Sequence, residues 1–301
     1  MLDILFACAL LASGTTANKI LLQHMPVPFF VAIRMLLSGG FLFLGIFKKS
    51  EHLRFSYIKQ DWVKLLLITC CTTFIPSLFK AYALQHMPLQ KASLLASFDP
   101  FVAALYGYIL CNEQLGFQKL LGMFIGFAGI VLLLFSSSAP ENMFEAYGII
   151  SWPELAAVGA VFISRYGWIL VAQMITRNRY DTYEINSIMM IAGALLSFIM
   201  CGYYGCLSFD FLIHLPASLW AVLLYTVLIG NICGYTLWSS LFKKYTISFM
   251  SLTGFSISIF AALYGYLLFS EPLTFYFICS ATITFIGLLI FYHKENKNIK
   301  K

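Results

Sequence analysis

The sequence predicts an all-α integral membrane protein of ten transmembrane helices arranged as two inverted five-helix repeats. Three observations carry that prediction. Only 11% of the 301 residues are charged while 60% are hydrophobic, against about 25% charged residues in a soluble domain. The apolar residues gather in stretches of roughly 20, the length a helix needs to cross about 30 Å of hydrocarbon. Finally, a run late in the first half recurs in the second. The polar faces that a soluble helical bundle needs are missing between the apolar stretches.

Turn signals and polar breaks set the ten spans in order. Span 1 is Leu2 to Gln23, span 2 Pro28 to Phe47, span 3 Trp62 to Gln85, span 4 Leu89 to Cys111 and span 5 Leu115 to Phe135. Span 6 is Trp152 to Thr176, span 7 Tyr183 to Tyr204, span 8 Ala217 to Phe242, span 9 Thr246 to Phe269 and span 10 Pro272 to Tyr292. Span 1 has no basic segment ahead of it and continues past Asn18 and Lys19, which predicts a retained helix and no signal peptide. Pro26, Pro28, Pro88, Pro140, Pro153, Pro216 and Pro272 fall in loops or first turns, where a missing N–H costs little. Asp181 with Glu184 three residues on reads as a capping box opening span 7. Two prolines lie inside spans: Pro76 frees the carbonyl of Thr72, and Pro100 frees that of Ala96 beside Asp99. Such breaks at membrane depth are tolerated where they are buried or line a wet cavity.

The repeated run is AALYGYILCNEQL, Ala103 to Leu115, which returns as AALYGYLLFSEPL, Ala261 to Leu273. At the same spacing Gly122, Gly126 and Gly129 fall on Ser280, Thr284 and Gly287, a small-residue face in both copies. That face suits packing within the bundle or a homodimer. Five spans per copy is an odd number, so the second copy is upside down. Charge agrees. Lys294, Lys297, Lys300 and Lys301 place the C-terminus in the cytoplasm. Alternation then puts Lys243 and Lys244, Arg177 and Arg179, Lys119, and the loop with Lys48, Lys49, Arg54 and Lys59 on the same side. The opposite loops hold Lys91 as their single basic residue. Equivalent loops of the two copies carry opposite bias, the pattern of an inverted-topology repeat. The predicted organisation is repeat one over 1–136, an extracytoplasmic linker over 137–151, repeat two over 152–292 and a basic tail over 293–301. Both termini are placed in the cytoplasm, and the location predicted is a bacterial cytoplasmic (inner) membrane.

The net charge of +6 is spread over span ends and forms no patch, so nucleic acid is not an expected partner. Membrane lipids and a small-molecule substrate are. Cys8, Cys70, Cys71, Cys111, Cys201, Cys206, Cys233 and Cys279 contain no CxxC pair and read as small lipid- or core-facing residues, with no metal or cofactor implied. His24, His52, His86, His214 and His293 fall in loops or at span ends, and no HExxH, GxSxG or Walker pattern is present. Enzymatic chemistry is therefore not expected.

A charged side chain at a helix centre costs about 2.5–3.5 kcal/mol on insertion scales, so those inside the spans are the candidate site. Lys19, Arg34 and Lys80 lie one to two turns from the outer face, while Asp99 and Arg165, one per repeat, lie near the midplane as a candidate ion pair. The bland alternatives are snorkelling for Lys19 and Lys80 and a hydrogen bond to helix carbonyls for Arg34. Polar and aromatic candidates for the lumen are Asn18 on span 1, Asn231, Tyr235 and Trp238 on span 8, and Ser256 on span 9. Span 1 also offers Ser13, Thr15 and Thr16, and span 9 Ser251, Thr253, Gly254 and Ser258, with helix packing as the alternative for these small polar residues. Glu113 and Glu271, equivalent in the repeat, are expected to cap the helices that follow them.

Together, span 4 with Pro100, AALYGY and Glu113, the echo through AALYGY and Glu271, Lys19 and Arg34 resemble the drug/metabolite transporter superfamily, and within it the ten-helix EamA-type transporters. The resemblance covers Leu2 to Phe135 and Trp152 to Tyr292. Ser13-Gly14 stands where the family often has Trp-Gly, and Ser258 stands where a second proline would match Pro100. The resemblance implies a central cavity, alternating access and a small metabolite as cargo. Within the spans Lys19, Arg34, Lys80 and Arg165 outnumber Asp99, which predicts an amino-acid-like or other anionic or zwitterionic solute. Asp99 as a proton- or cation-coupling site is a second role for that residue. A non-transporting scaffold or sensor that kept the fold is the competing function.

Overall fold

The computed structural model describes residues 2–48, 55–111, 116–135, 151–176, 180–207, 215–241 and 247–292, and every regular element in them is helical. In chain order these are α1 (Leu2–Leu22), α2 (Val27–Lys48), α3 (Phe55–Thr69), a π-helical turn (Cys70–Phe74), α4 (Ile75–His86), α5 (Leu89–Ala96), α6 (Asp99–Cys111) and α7 (Phe117–Phe135). The second half has α8 (Trp152–Thr176), α9 (Thr182–Tyr203), α10 (Ala217–Tyr225), a second π segment (Thr226–Cys233), α11 (Gly234–Leu241), α12 (Ile247–Phe269) and α13 (Phe275–Tyr292). Among the described residues, seven helical runs are long and apolar enough to cross a membrane. Three shorter apolar stretches, Phe117–Leu132, Thr253–Phe269 and Phe275–Phe291, lie where the sequence places spans 5, 9 and 10. Large apolar side chains such as Leu44, Phe124, Ile199 and Leu267 face outward, as lipid contact requires.

Three expected spans are not single α-helices, and each break has a local cause. In span 4 the helix stops after Ala96 and restarts at Asp99. Pro100 has no N–H for the Ala96 carbonyl, and the chain tightens ahead of it: Ser97 N–H donates to Leu94 O at 3.0 Å and Phe98 N–H to Leu95 O at 3.1 Å. Asp99 thereby becomes the first residue of α6, where a carboxylate is favoured by the helix dipole. In span 3 the π turn lies directly ahead of Pro76, and Ile75 N–H reaches back to Cys70 O. Span 8 carries the matching π segment with no proline to announce it. Span 3 also starts earlier than expected, at Phe55.

Two end assignments are corrected. Span 10 starts at Phe275, after the turn that contains Ser270 at φ 53° and Pro272. Thr274 Oγ1 accepts the Phe277 N–H at 3.2 Å and so caps α13. Glu271 consequently does not cap the helix that follows it. Elsewhere the expected capping box is present: Asp181 N–H donates to Glu184 Oε2 at 2.9 Å at the start of α9. That helix ends on Gly205 at φ 66°, with Cys206 N–H bonded to Cys201 O at 3.0 Å, a Schellman turn that brings the Cys201 and Cys206 sulfurs within 3.1 Å. These two thiols are partners, a relationship the cysteine spacing did not disclose.

The helix contacts come in matched sets. α7 packs on α13, α2 on α9 and α5 on α12, each joining equivalent spans of the two halves. α1 crosses the second π segment as α8 crosses the first, and α2 touches the second as α9 touches the first. Glycine allows both crossings. A β-carbon on Gly14 would stand 2.7 Å from Gly230 Cα, and one on Gly167 would stand 2.9 Å from the Cys71 carbonyl carbon. The small-residue face is spent inside the chain: a β-carbon on Gly287 would meet Gly126 N at 2.4 Å.

Glu113, Lys49, Arg54, Arg177, Arg179, Lys243, Lys244, Pro140, His52, His214, His293, residues 137–150 and the tail 293–301 lie outside the described residues, as do the side chains of Lys48, Cys111, Tyr235 and Ser251.

A charged cavity between the two halves as candidate functional site

The breaks and crossings surround one cavity of about 270 Å³. Its walls come from α1, α2, α4, α5 and the start of α6 in the first half, and from α8, the second π segment, α11 and α12 in the second. Of the residues singled out in the sequence, Asn18, Arg34, Lys80, Asp99, Arg165, Asn231 and Trp238 line it. Lys19 and Ser256 are not among its lining residues, and the Tyr235 side chain is not described.

Arg165 and Asp99 are paired. Arg165 Nε donates to Asp99 Oδ1 at 2.8 Å, and its Nη2 engages Oδ2 of the same carboxylate, a two-pronged ion pair between α8 and α6. The arginine side chain is 6% exposed and the aspartate 30%, so the carboxylate is the partner that opens to the cavity. Pairing with two-pronged geometry offsets part of the cost of burying each charge.

Arg34 is held by a small polar ring. Its Nη1 donates to Asn231 Oδ1 at 3.4 Å, Asn231 Nδ2 donates to Ser38 Oγ at 2.9 Å, and Ser38 Oγ donates to the Arg34 carbonyl at 2.7 Å. The guanidinium also sits 5.2 Å from the centre of the Phe30 ring. The π geometry of Thr226–Cys233 is what carries Asn231 to this position from span 8. Lys80, on α4, is exposed to the cavity and makes no hydrogen bond or ion pair among the described residues. Asn18 Oδ1 is likewise buried without a hydrogen-bond partner among them.

The lining residues Trp168, Phe30, Ser93 and Ser97 were not singled out beforehand, whereas Ser258 was. Trp168 and Phe30 give the cavity aromatic walls beside Trp238. Ser93, Ser97 and Ser258 form a polar seam where α5 meets α12: Ser258 Oγ donates to Ser93 O at 2.5 Å and lies 2.5 Å from Ser97 Oγ. Ser258, which stands where a second proline would match Pro100, thus bridges the two halves from an unbroken helix.

Lys19 belongs to a separate clamp at one end of the bundle. Its Nζ lies 2.5 Å from Glu271 Oε1 and 3.1 Å from Met87 O. Glu271 also accepts the Leu89 N–H at 3.0 Å and the Gln90 N–H at 3.4 Å, so it caps α5, a helix of the other half. Gln90 Nε2 donates to Pro272 O at 2.9 Å. One turn away, Lys91 pairs with Glu154, which also accepts the Ser151 N–H at 2.7 Å. Five polar segments (the ends of α1 and α4, the start of α5, the loop before α13 and the start of α8) are tied together here. Repeat matching predicted a role for Glu271 in capping, but only the fold reveals which helix it serves.

Comparison with known proteins fits this architecture. A family model described as the EamA-like transporter family matches residues 1–135 and again 151–293. The chain is 25% identical over 295 residues to the S-adenosylmethionine/S-adenosylhomocysteine transporter of Chlamydia trachomatis serovar L2, covering 97% of this chain and 89% of that protein. It is 23% identical over 278 residues to a chloroplastic WAT1-related protein of Arabidopsis thaliana, covering 91% and 66%. One solved crystal structure superposes with a TM-score of 0.64 at 16% identity, covering 100% of this chain and 97% of that one, a likeness of fold. The chain belongs to the EamA-like transporter family, and is a multi-pass membrane transporter of a small molecule rather than an enzyme.

Proposed function

We propose that the chain is a secondary transporter that carries an amino-acid-like, anionic or zwitterionic solute through this cavity by alternating access. The observation that carries the reading is Lys80, a cation open to the cavity with no ion pair among the described residues. In a low-dielectric site such a charge attracts a carboxylate far more strongly than it does in water. Arg34, fixed by Asn231, is a second contact for the same anion. The partly open Asp99 carboxylate is the matching contact for an ammonium group. Trp168, Trp238 and Phe30 supply surfaces for an apolar or flat remainder. The chlamydial relative is named for S-adenosylmethionine and S-adenosylhomocysteine. Both are α-amino acids that carry a purine, and the amino-acid end and the purine of each suit this set of contacts; S-adenosylhomocysteine, a thioether without the sulfonium charge, is the zwitterion of the two.

In the same reading residues 1–136 and 152–292 are inverted repeats joined by an extracytoplasmic linker, both termini are cytoplasmic, and the membrane is the bacterial inner membrane. The matched helix contacts and the basic loops support it. The clamp at Lys19–Glu271 then closes the outer end, and parting it is the outward-opening step.

The test is counterflow. Purified protein in liposomes preloaded with S-adenosylhomocysteine, or with a mixture of L-amino acids, should take up the labelled form of at least one of these solutes. Passage restricted to solutes without a carboxylate or other anionic group overturns the reading.

A further inference from the structure

Gly254 of α12 lines the cavity, as do Gly14 and Gly230. Those two touch each other through their backbones, so packing alone accounts for them. Gly254 differs. A β-carbon there would find the Trp238 Cη2 atom at 3.7 Å, ordinary contact, and no other neighbouring atom of the described residues within 4 Å. Among the described residues, nothing in the packing demands a glycine at this position. Alanine would fit and would favour the helix, since glycine is the poorer helix former. The positions on either side are filled: Phe255 is buried, and Thr253 accepts the Cys8 thiol through its carbonyl at 3.3 Å.

Trp238 itself is held in place. It packs against the cluster of Ile4, Ala7, Cys8 and Leu241 and presents the far edge of its indole toward Gly254. The missing side chain therefore leaves a recess in the cavity wall, floored by the α12 backbone and bounded by a fixed aromatic edge. A recess of this shape takes a bulky or flat apolar group, while the charges that hold the polar end of a solute, Lys80, Arg34 and Asp99, lie on other elements.

We infer that Gly254 sets the size of solute that this transporter accepts, by leaving beside Trp238 the space that the larger end of the cargo occupies. The inference rests on the reading above only in that solutes pass through this cavity. It does not require them to be amino acids. Enlarging position 254 fills the recess without touching a charged contact, so it should shift selectivity by size rather than by charge.

The experiment uses the full chain in liposomes and a defined mixture of L-amino acids, nucleosides, sugar phosphates, S-adenosylmethionine and S-adenosylhomocysteine, with mass-spectrometric detection of what crosses. Wild type is compared with Gly254→Ala and Gly254→Leu. Gly254→Leu should reduce passage of the bulkiest wild-type cargo at least about tenfold relative to the smallest cargo of the same charge, the scale on which a pocket discriminates added methylenes. Gly254→Ala should show the same order with a smaller effect and a thermal midpoint no lower than wild type, which separates a steric effect from misfolding. Equal loss across all sizes, or no change in either variant, overturns the inference. If the solutes that cross are not amino-acid-like but are still cut by size, the proposed substrate class fails and the role of Gly254 stands. A wild-type chain that passes nothing contradicts both.

Discussion

Lys19 of α1 and Glu271 of the loop before α13 stand 2.5 Å apart, and the same carboxylate accepts the backbone N–H of Leu89. One side chain thus joins the ends of three segments, two in the first half and one in the second. Both side chains are largely buried, at 14% and 11% exposure, so the pair is neither a surface ornament nor a snorkelling lysine.

Removing one member leaves the other charge partly buried. Glu271→Gln should lower the stability of the purified protein by about 3 kcal/mol, the lower end for breaking a buried pair. Glu271→Ala should cost more, because the cap on Leu89 and Gln90 is lost as well. Thermal unfolding in detergent measures both, and Lys19→Met combined with Glu271→Gln should be less damaging than the two single costs added.

Arg165 and Asp99 couple in the same way but line the cavity. Arg165→Gln should impair folding and transport together, by about 3–5 kcal/mol in stability. Adding Asp99→Asn should restore most of the stability and none of the transport. Recovery of uptake in the double variant would show that the pair only supports the fold.

The face of Gly122, Gly126 and Gly129 packs on α13, so its enlargement should unfold the chain and not dissociate a dimer. Gly126→Val places new atoms against the Phe101 ring, where the β-carbon alone would lie 2.1 Å from Cζ. The expected result is a loss of about 1–3 kcal/mol or more, from overpacking. Yield of monodisperse protein and its melting temperature check this at once.

Much of this was legible in the sequence because membrane proteins write their constraints in composition. Apolar length marked the helical runs, the Ala103 and Ala261 runs pointed to a repeat, and the rarity of charge singled out Asp99, Arg165, Arg34 and Lys80, all of which the fold brings to one cavity. Pro100 announced the break beside Asp99. What the sequence withheld depends on facing and on distant partners. The π segment at Thr226–Cys233 has no proline to mark it, yet it determines where Asn231 meets Arg34. Glu271 looked like a local cap, because its true partners, Lys19 and the Leu89 amide, lie 252 and 182 residues away in the chain. Trp168 was one aromatic among many until the helix rotation showed it on the cavity wall.

The most direct measurement is solute uptake by the Lys80→Gln variant in liposomes, beside Lys64→Gln as a control on an exposed lysine of α3. A charge-assisted contact is worth about 1.5–3 kcal/mol. Lys80→Gln should therefore reduce uptake of a carboxylate-bearing solute by roughly tenfold to a hundredfold with the fold intact, while Lys64→Gln leaves it unchanged. Uptake by Lys80→Gln equal to that of wild type would contradict a cavity whose open cation receives the cargo.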